Sequence, residues 1–533
     1  MLFNSYGFIF LYLPAVLLGF FWLARASHAF AAGWLALASL FFYGYWNPAY
    51  VGLLLGSVVC NYAFGVWIAK ARNQETGIRK QGANSKNLLI VAITSNLLLL
   101  GYYKYANFFV GNINCLAGTQ LSLGEIILPL GISFFTFTQI SFLVDTYQGK
   151  VKEYNFVHYL LFVTYFPHLI AGPVLHHREM MPQFAHASTY RFSYENMSVG
   201  MTIFFIGLFK KVVLADGIAQ YVAPVFSAPA AGVQLNFIEA WGGALCYTLQ
   251  LYFDFSGYSD MAIGLSRMFG VLLPLNFHSP YKSLSIIEFW QRWHISLTKY
   301  IREYLYTPIT LAGTRLGFGK PASVELLYSL VAPTLFIFLI IGLWHGASWN
   351  YVIFGGMHGV LLVINHLWRK RGFWVSHKKT SPRFFIRILA WAATFFSVAL
   401  TFVMFRADSI ATAISIYKGA FGLNGFMMPD VWLIKWGWVG QWLNAHGMAF
   451  GATNDLIGGG AINWIWISML VVLLAPNTQQ IMQHFKPALG LPAMNATRLS
   501  WRPDMRSAAC VWLLGFIAII NLNKQSVFLY FQF

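Results

Sequence analysis

One histidine of this sequence lies between two long apolar runs. His345 occurs within Gly-Leu-Trp-His-Gly-Ala-Ser-Trp-Asn, residues 342–350, and no charged residue occurs at 327–343 or at 351–367. An ionisable side chain at membrane depth is costly to insert, so a functional role is the default hypothesis. A neutral imidazole is suited to accept a proton from a hydroxyl near pH 7. His345 is therefore the first catalytic candidate; the alternative is a histidine that only hydrogen-bonds between packed helices.

Two further stretches place polar side chains beside apolar runs. Residues 250–264 read QLYFDFSGYSDMAIG and carry Asp254, Tyr258 and Asp260. Residues 288–297 read EFWQRWHISL and carry Trp293 and His294. Buried carboxylates need partners, so the two aspartates mark either a polar pocket or a structural lock.

The composition indicates a membrane protein. Of the 533 residues, 58% are hydrophobic, 18% are aromatic and only 10% are charged, whereas soluble domains are about 25% charged. We expect an all-α, polytopic fold of about 12 spans, with re-entrant and interfacial helices around a central tunnel. A single domain over 1–533 is expected, with a catalytic segment at about 239–370, because no long polar linker interrupts the chain.

Twelve apolar runs are predicted to span the membrane. They are 8–24, 30–45, 49–69, 88–109, 126–147, 197–214, 239–262, 328–344, 351–368, 386–404, 461–475 and 508–522. The stretch 156–175 is apolar but broken by two prolines and a glycine, so we expect a re-entrant element buried in protein.

The Lys and Arg distribution predicts the orientation. Basic residues concentrate in 70–86, 369–387 and 486–506, while 110–125, 215–238 and 424–460 are nearly free of them. Basic loops stay cytoplasmic, so both termini are expected outside. The net charge of +18 therefore reflects topology, and nucleic acid is not an expected partner.

The largest predicted cytoplasmic segment is 266–326. Within it, residues 286–305 repeat apolar side chains at helical spacing, with charged side chains on the other face. We predict one amphipathic helix that could lie at the membrane interface, with tryptophans on its apolar face.

The chain resembles the membrane-bound O-acyltransferase (MBOAT) family, and within it the bacterial alginate O-acetylation branch. The resemblance covers essentially the whole chain. Besides the stretches above, it rests on FNS (3–5), FIF (8–10), LP (13–14), LPLGISFFTF (128–137), FPHLIAGP (166–173) and FLYFQF (528–533). One departure is visible: relatives commonly have Gly-Gly-Asn-Arg where this chain has Leu-Ala-Gly-Thr-Arg at 311–315, so no donor contact is assigned there.

The resemblance implies a function and site residues. His345 matches the family's essential catalytic histidine, and His294 matches a second polar site residue. The expected donor is cytoplasmic acetyl-CoA, and the acceptor is an exported polysaccharide or a periplasmic acetyltransferase partner. The expected setting is the inner membrane, in contact with lipid, with no tightly bound cofactor and no metal.

A polar, aromatic interior suits a tunnel for an acyl donor and its acceptor. In that tunnel His345 would act as general base, and His294 would orient the donor or stabilise an oxyanion. The substrate-binding candidates are Trp344, Asp254, Tyr258, Asp260, Trp293 and Asn350. We predict a donor cavity opening to the cytoplasm near His294 and an acceptor funnel opening outward, meeting at His345.

Three alternatives remain at this point. A D-alanyl transfer protein for teichoic acids, using a carrier-protein thioester, would share the fold and the catalytic histidine. A transporter would also use intramembrane His and Asp residues, although the two halves show no matching interrupted helices. The third alternative is a binding scaffold in which His345 has lost its catalytic role.

Overall fold

The computed structural model describes residues 1–77, 83–170, 172–371, 384–451, 456–492, 499–523 and 529. The regular secondary structure of this part of the chain is helical apart from one two-residue parallel strand pair, β1 (Met428–Pro429) with β2 (Phe450–Gly451). The all-α prediction is confirmed. Most of the basic segment 369–387 lies outside the described residues.

The first half of the chain forms thirteen α-helices among the described residues. They are α1 (Leu13–Ala24), α2 (His28–Gly44), α3 (Ala49–Gly77), α4 (Ala83–Leu100), α5 (Ala106–Ala117), α6 (Ile132–Tyr147), α7 (Phe156–Thr164), α8 (Phe166–Leu169), α9 (His177–Ala185), α10 (Tyr194–Phe209), α11 (Asp216–Ala219), α12 (Val222–Ser227) and α13 (Phe237–Met268). π-Helical turns at Gly7–Tyr12, Gly101–Tyr105 and Lys210–Ala215 extend or join some of them.

The second half adds thirteen more within the described ranges. They are α14 (Ile286–Arg292), α15 (Ile295–Ile301), α16 (Thr307–Gly317), α17 (Ala322–Leu326), α18 (Ala332–His345), α19 (Trp349–Lys370), α20 (Phe384–Arg406), α21 (Ile410–Ala420), α22 (Asp430–Lys435), α23 (Trp438–Ala445), α24 (Gly459–Leu474), α25 (Thr478–Ile481) and α26 (Met505–Ile520). π-Helical turns occur at Arg302–Tyr306 and Leu327–Val331.

Each of the twelve predicted spans corresponds to a helix. Among the described residues, seven helices are long and apolar enough to cross a membrane: Gly7–Ala24, Ala49–Asn73, Asn84–Ala117, Tyr194–Ala219, Ala322–His345, Trp349–Lys370 and Phe384–Arg406. Three of the others, α2, α24 and α26, are shorter apolar helices. The predicted span 126–147 begins as a helix only at Ile132. The chain is therefore a multi-pass membrane protein.

The buried centre of the fold is the 32-residue helix α13. Its residues from Thr248 to Ser266 are all buried, and α10 packs along it. A Cβ on Gly207 would lie 2.6 Å from the Gly257 carbonyl oxygen, and one on Gly264 would lie 2.5 Å from the Gly200 carbonyl oxygen. The glycines therefore let the two backbones approach as closely as small residues do in membrane helix pairs.

The stretch 156–175 is a broken, buried element, as its prolines predict. Helices α7 and α8 are separated by Tyr165, and every described residue from Leu161 to Ile170 is buried. Non-helical backbone at this depth is tolerated because protein surrounds it.

The prediction of one amphipathic helix over 286–305 is wrong. The helix stops at Arg292 and restarts at Ile295, and His294 between them adopts a left-handed φ of 46°. The main chain there pairs with the loop before it, through His278 N to Arg292 O and Ile295 N to Asn276 O, both at 2.9 Å. These tertiary hydrogen bonds replace helical ones that periodicity alone would favour.

The apolar face of residues 286–305 packs inside the protein, whereas the prediction placed it at the membrane interface. Trp290, Trp293, Leu297 and Ile301 are all buried in protein, so the tryptophans are not at the membrane interface. The helical spacing identified the buried face correctly, because spacing reports burial and does not say whether protein or lipid covers it.

Candidate active site

The end of α18 presents His345 to the interior of the protein. The residue is 8% exposed, and the helix stops at once because Gly346 is extended, with a φ of −167° and a ψ of 151°. A three-residue turn then leads into α19 at Trp349. The sequence GLWHGASWN thus folds as a tight helical hairpin with His345 at its tip.

The two helices of this hairpin are in backbone contact. A Cβ on Gly355 would lie 2.0 Å from the Phe338 carbonyl oxygen, and one on Gly342 would lie 2.1 Å from the Tyr351 carbonyl oxygen. Small residues at these two positions are therefore needed for the approach that places His345.

Aromatic rings surround the imidazole. The ring centroid of His345 lies 4.8 Å from that of Trp344, 5.3 Å from that of Phe405 and 6.0 Å from that of Phe354. These neighbours come from α18, α19 and α20. They restrict the orientation of the ring.

His294 also lies near Trp344. The Trp344 ring is 6.4 Å from His294, and the Phe255 ring is 4.8 Å from it, measured between centroids. The left-handed φ of His294 turns its side chain inward from the break between α14 and α15. The fold thus brings together the two histidines that the sequence places 51 positions apart.

A hydrogen-bond network orients His294. Its Nδ1 lies 2.9 Å from the amide oxygen of Asn276, which also accepts from the Ser296 hydroxyl at 2.9 Å. The Ser296 hydroxyl in turn accepts from the Val174 N–H at 2.9 Å. Because an amide oxygen only accepts, Nδ1 donates, and Nε2 is the acceptor of the neutral ring. Burial lowers the pKa of His294 to about 3, so the ring stays neutral.

This tautomer bears on the role of His294. A neutral ring that already donates from Nδ1 has no second N–H to offer an oxyanion. Between the two predicted roles, the geometry favours orienting a substrate over stabilising developing negative charge.

A cavity of about 360 Å³ reaches His345. Its walls are Trp344, Lys104, Trp46 and residues 128–134, with Met1, Leu2 and Ile170. A neighbouring cavity of about 340 Å³ shares Lys104 and Leu128 with it and is lined by Gly346 to Ser348. Both lie at the end of α18 that the Lys and Arg distribution predicts to be outer. The acceptor funnel stays a prediction, and these cavities are where it would open.

Beyond His345 the space narrows sharply. A void of about 20 Å³ is bounded by His345, Trp290, Trp293 and His358, and it has room for about one water. The predicted donor passage is therefore closed at this point among the residues described, and the aromatic side chains that close it would have to move for a thioester arm to enter.

The two aspartates of the 250–264 stretch do not line these cavities. Asp254 pairs with Lys211 at 2.6 Å and accepts from the Leu529 N–H at 3.2 Å. Asp260 pairs with Lys210 at 2.6 Å and accepts from the Thr478 hydroxyl, also at 2.6 Å. Of the two alternatives for these carboxylates, the geometry favours the structural lock, since each ties α13 to other segments.

The other substrate-binding candidates divide between the site and the scaffold. Trp344 lines the cavity and Trp293 bounds the small void. Tyr258 stacks on Phe3, with centroids 4.7 Å apart. Asn350 donates to the Ala407 carbonyl at 2.6 Å and joins α19 to the end of α20. Their roles in substrate binding stay predictions.

The hydrogen bonds of His358 are those of a residue that packs helices together. It accepts from the Trp290 indole at 3.3 Å, and its Nε2 lies 2.9 Å from the Thr401 hydroxyl. That hydroxyl donates to the Val398 carbonyl at 2.7 Å, so it accepts from His358. Both ring nitrogens are therefore used in packing three helices together.

Several site residues were not identified from the sequence. Asn276 and Ser296 orient His294, while Lys104 and Tyr105 donate to the carbonyls of Trp344 and Leu343 at the end of α18. No spacing rule marks Asn276 or Ser296. The one available signal was Lys104, a charged residue inside the predicted span 88–109, where a functional role is the default hypothesis.

Comparison with known proteins identifies the family of the chain. The model of the membrane-bound O-acyltransferase family matches residues 16–405. The peptidoglycan O-acetyltransferase of Helicobacter pylori is 37% identical over 565 aligned positions, which cover 100% of this chain and 98% of that protein. The probable alginate O-acetylase AlgI of Pseudomonas aeruginosa is 39% identical over 438 positions, covering 81% of this chain and 77% of that protein.

A more distant relative has a different acyl group in its name. The teichoic acid D-alanyltransferase of Bacillus subtilis is 29% identical over 285 positions, which cover 52% of this chain and 68% of that protein. The matched family model includes α18, the His345 hairpin and the His294 network. The chain therefore belongs to the membrane-bound O-acyltransferase family.

Proposed function

We propose that this O-acyltransferase transfers acetyl groups from cytoplasmic acetyl-CoA for the O-acetylation of an exported polysaccharide, directly or through a periplasmic partner protein. The observation that carries the proposal is His345, buried at the tip of the α18–α19 hairpin and open to a cavity of about 360 Å³. The names of the relatives support acetyl as the acyl group and a cell-surface glycan as the acceptor.

The proposed reaction assigns one proton transfer to His345. The acceptor hydroxyl oxygen forms a bond to the thioester carbonyl carbon, while the imidazole takes the hydroxyl proton. The carbon–sulfur bond then breaks, and the proton passes from the imidazole to the leaving thiolate. A positioned base typically contributes ~10²–10⁴-fold to such a step. The products are the acetyl ester and the free thiol.

The two substrates approach from opposite sides in this proposal. The acceptor enters through the open cavity at the predicted outer side, and the donor arm enters past the aromatic residues around the 20 Å³ void. In this proposal His294 orients the donor arm through Nε2. The proposed location is the inner membrane.

Replacing His345 tests the proposal. We expect His345→Gln to reduce acetyl transfer in proteoliposomes by ~10²-fold or more, because an amide cannot accept the proton. The measurement is transfer of radiolabelled acetyl from acetyl-CoA to polysaccharide supplied with the candidate partner. His366→Gln is the matched control, since His366 lies near the far end of α19, away from both cavities.

The outcomes separate the alternatives. Loss of folded protein, seen as loss of a monodisperse elution peak, would make His345 a packing residue. Full activity in His345→Gln would contradict its role as base. Transfer from a D-alanyl carrier-protein thioester, with none from acetyl-CoA, would replace the proposed donor by that of the teichoic acid enzymes.

A further inference from the structure

Lys104 is a partly buried lysine that lines the cavity beside His345. It lies in the π-helical turn Gly101–Tyr105, between α4 and α5. Its ammonium donates to the Trp344 carbonyl, lies 3.5 Å from the Ser133 hydroxyl, and is 5.9 Å from the centroid of the Trp344 ring. π-Helical turns inside long helices often mark functional sites, since the extra residue redirects a side chain.

Lys104 has no carboxylate partner among the residues that the structure describes. Each of the other two lysines inside the predicted spans, Lys210 and Lys211, pairs with an aspartate of α13. A charge that is partly removed from water is stabilised by a counter-charge, because desolvation disfavours an unpaired ion. The two neutral oxygens on Lys104 supply only part of that compensation.

Lys104 lines two adjoining cavities. Lys104 lines the 360 Å³ cavity that contains His345 and also the adjoining 340 Å³ cavity. Apart from His345, it is the only acidic or basic side chain lining either one in the described part of the chain. Within the described residues neither lining contains a carboxylate, so an anionic group in either cavity would be attracted to Lys104 with no like charge in the wall to repel it.

We propose that Lys104 is a subsite for an anionic group, namely a carboxylate carried by the acceptor next to the hydroxyl that reacts. This inference rests on the proposed acyl transfer at His345 and adds a specificity to it. The carboxylate pairs with the Lys104 ammonium, and this contact places a neighbouring hydroxyl near His345. Phosphates of the donor would remain at the opposite, cytoplasmic side of Trp344.

A purely structural role for Lys104 is the competing explanation. The carbonyls at the end of α18 have no partners within the helix, and Lys104 satisfies one of them. Lys104→Gln separates the two roles, because an amide N–H can still donate to a carbonyl while the positive charge is lost. Lys104→Arg keeps the charge in a longer side chain.

The test measures acceptor binding without any donor. The ligands are a uronic acid oligosaccharide and its carboxyl-reduced derivative, which carries a neutral CH₂OH in place of each carboxylate. Binding to the purified full-length protein in detergent is measured by isothermal titration calorimetry. We expect Lys104→Gln to weaken binding of the uronate about tenfold or more, as for loss of a hydrogen bond to a charged group. Binding of the reduced ligand should be unchanged.

The controls make each outcome decisive. Lys320→Gln removes a lysine that lies over the Tyr328 ring on an exposed segment, and it should bind both ligands as the unchanged protein does. Lys104→Arg should retain a preference for the uronate. Equal binding of the two ligands by the unchanged protein, or equal loss of both in Lys104→Gln, would overturn the proposal.

Failure of the proposed function has a different signature. If the unchanged protein binds the uronate through Lys104 but transfers no acetyl group, the acyl-transfer proposal fails and the anion subsite stands. If it transfers acetyl equally well to both oligosaccharides, the subsite fails and the transfer stands.

Discussion

At the scale of single residues, the two histidines of the site are held in different ways. His345 is surrounded by aromatic rings and opens onto the cavity, whereas His294 is hydrogen-bonded through Nδ1 to Asn276. The first arrangement suits a base that exchanges a proton with substrate. The second fixes a tautomer and an orientation, which suits a positioning role.

His294→Ala should lower the transfer rate without abolishing it. The base at His345 remains, but the donor loses a group that orients it, and misplacement by about 1 Å can reduce a rate by ~10²-fold. The measurement is kcat and KM for acetyl transfer at saturating acceptor. Activity equal to that of the unchanged protein would remove His294 from the site.

Asn276→Asp should shift the pH dependence of transfer. A carboxylate facing Nδ1 favours the protonated imidazole and raises the pKa of His294 from about 3 towards the neutral range. Because the raised pKa lets His294 become charged at a higher pH, the acidic limb of the rate profile should move to higher pH. Asn276→Leu serves as the comparison, since it removes the acceptor without adding charge. An acidic limb that is the same in both variants would contradict the orienting role.

At the scale of helices, the contact between α18 and α19 positions His345. Gly355→Ala should be destabilising by about 1–3 kcal/mol or displace the hairpin, because its Cβ would lie 2.0 Å from a backbone oxygen that cannot move alone. Gly356→Ala is the matched control, since its nearest neighbour would be the flexible Leu339 side chain at 3.4 Å. Thermal unfolding in detergent and the transfer rate are measured for both. A Gly355→Ala protein as stable and active as Gly356→Ala would contradict the account.

The Lys210–Asp260 ion pair joins the π-helical turn that follows α10 to α13, and the Thr478 hydroxyl of α25 also donates to Asp260. Lys210→Met leaves a buried carboxylate without its cation, so a loss of about 3–5 kcal/mol in unfolding free energy is expected. The double variant Lys210→Met with Asp260→Leu should recover much of that loss. If Asp260→Leu instead raises the acceptor KM while stability is kept, Asp260 is a substrate ligand after all.

At the scale of the whole molecule, the orientation in the membrane can be tested directly. In a background without Cys60, Cys115 and Cys510, Ala445→Cys should react with an impermeant thiol reagent added outside intact cells. Ser323→Cys should react only after the membrane is opened, because the Lys and Arg distribution places it in the cytoplasm. Ser376, in the most basic loop, lies outside the described residues, so Ser323 is the better probe. The reverse labelling pattern would invert the predicted topology and exchange the sides of the two substrates.

The sequence by itself determined the helices and the principal catalytic candidate. Runs of apolar residues long enough to cross a bilayer are local properties, and so is the absence of charge around His345. For this reason each of the twelve predicted spans is a helix. The broken element at 156–175 followed from its prolines in the same local way.

Only the tertiary structure decided which side chains meet. The break at His294 arises because loop residues 276–278 compete for the hydrogen bonds of the helix. Asp254 and Asp260 have structural roles because Lys211 and Lys210, in the π-helical turn after α10, pair with them. Lys104 faces His345 because a π-helical turn in one span packs against the end of another. Such pairings join positions up to 240 residues apart, and hydrophobic periodicity carries no information about the partner that a buried polar group finds.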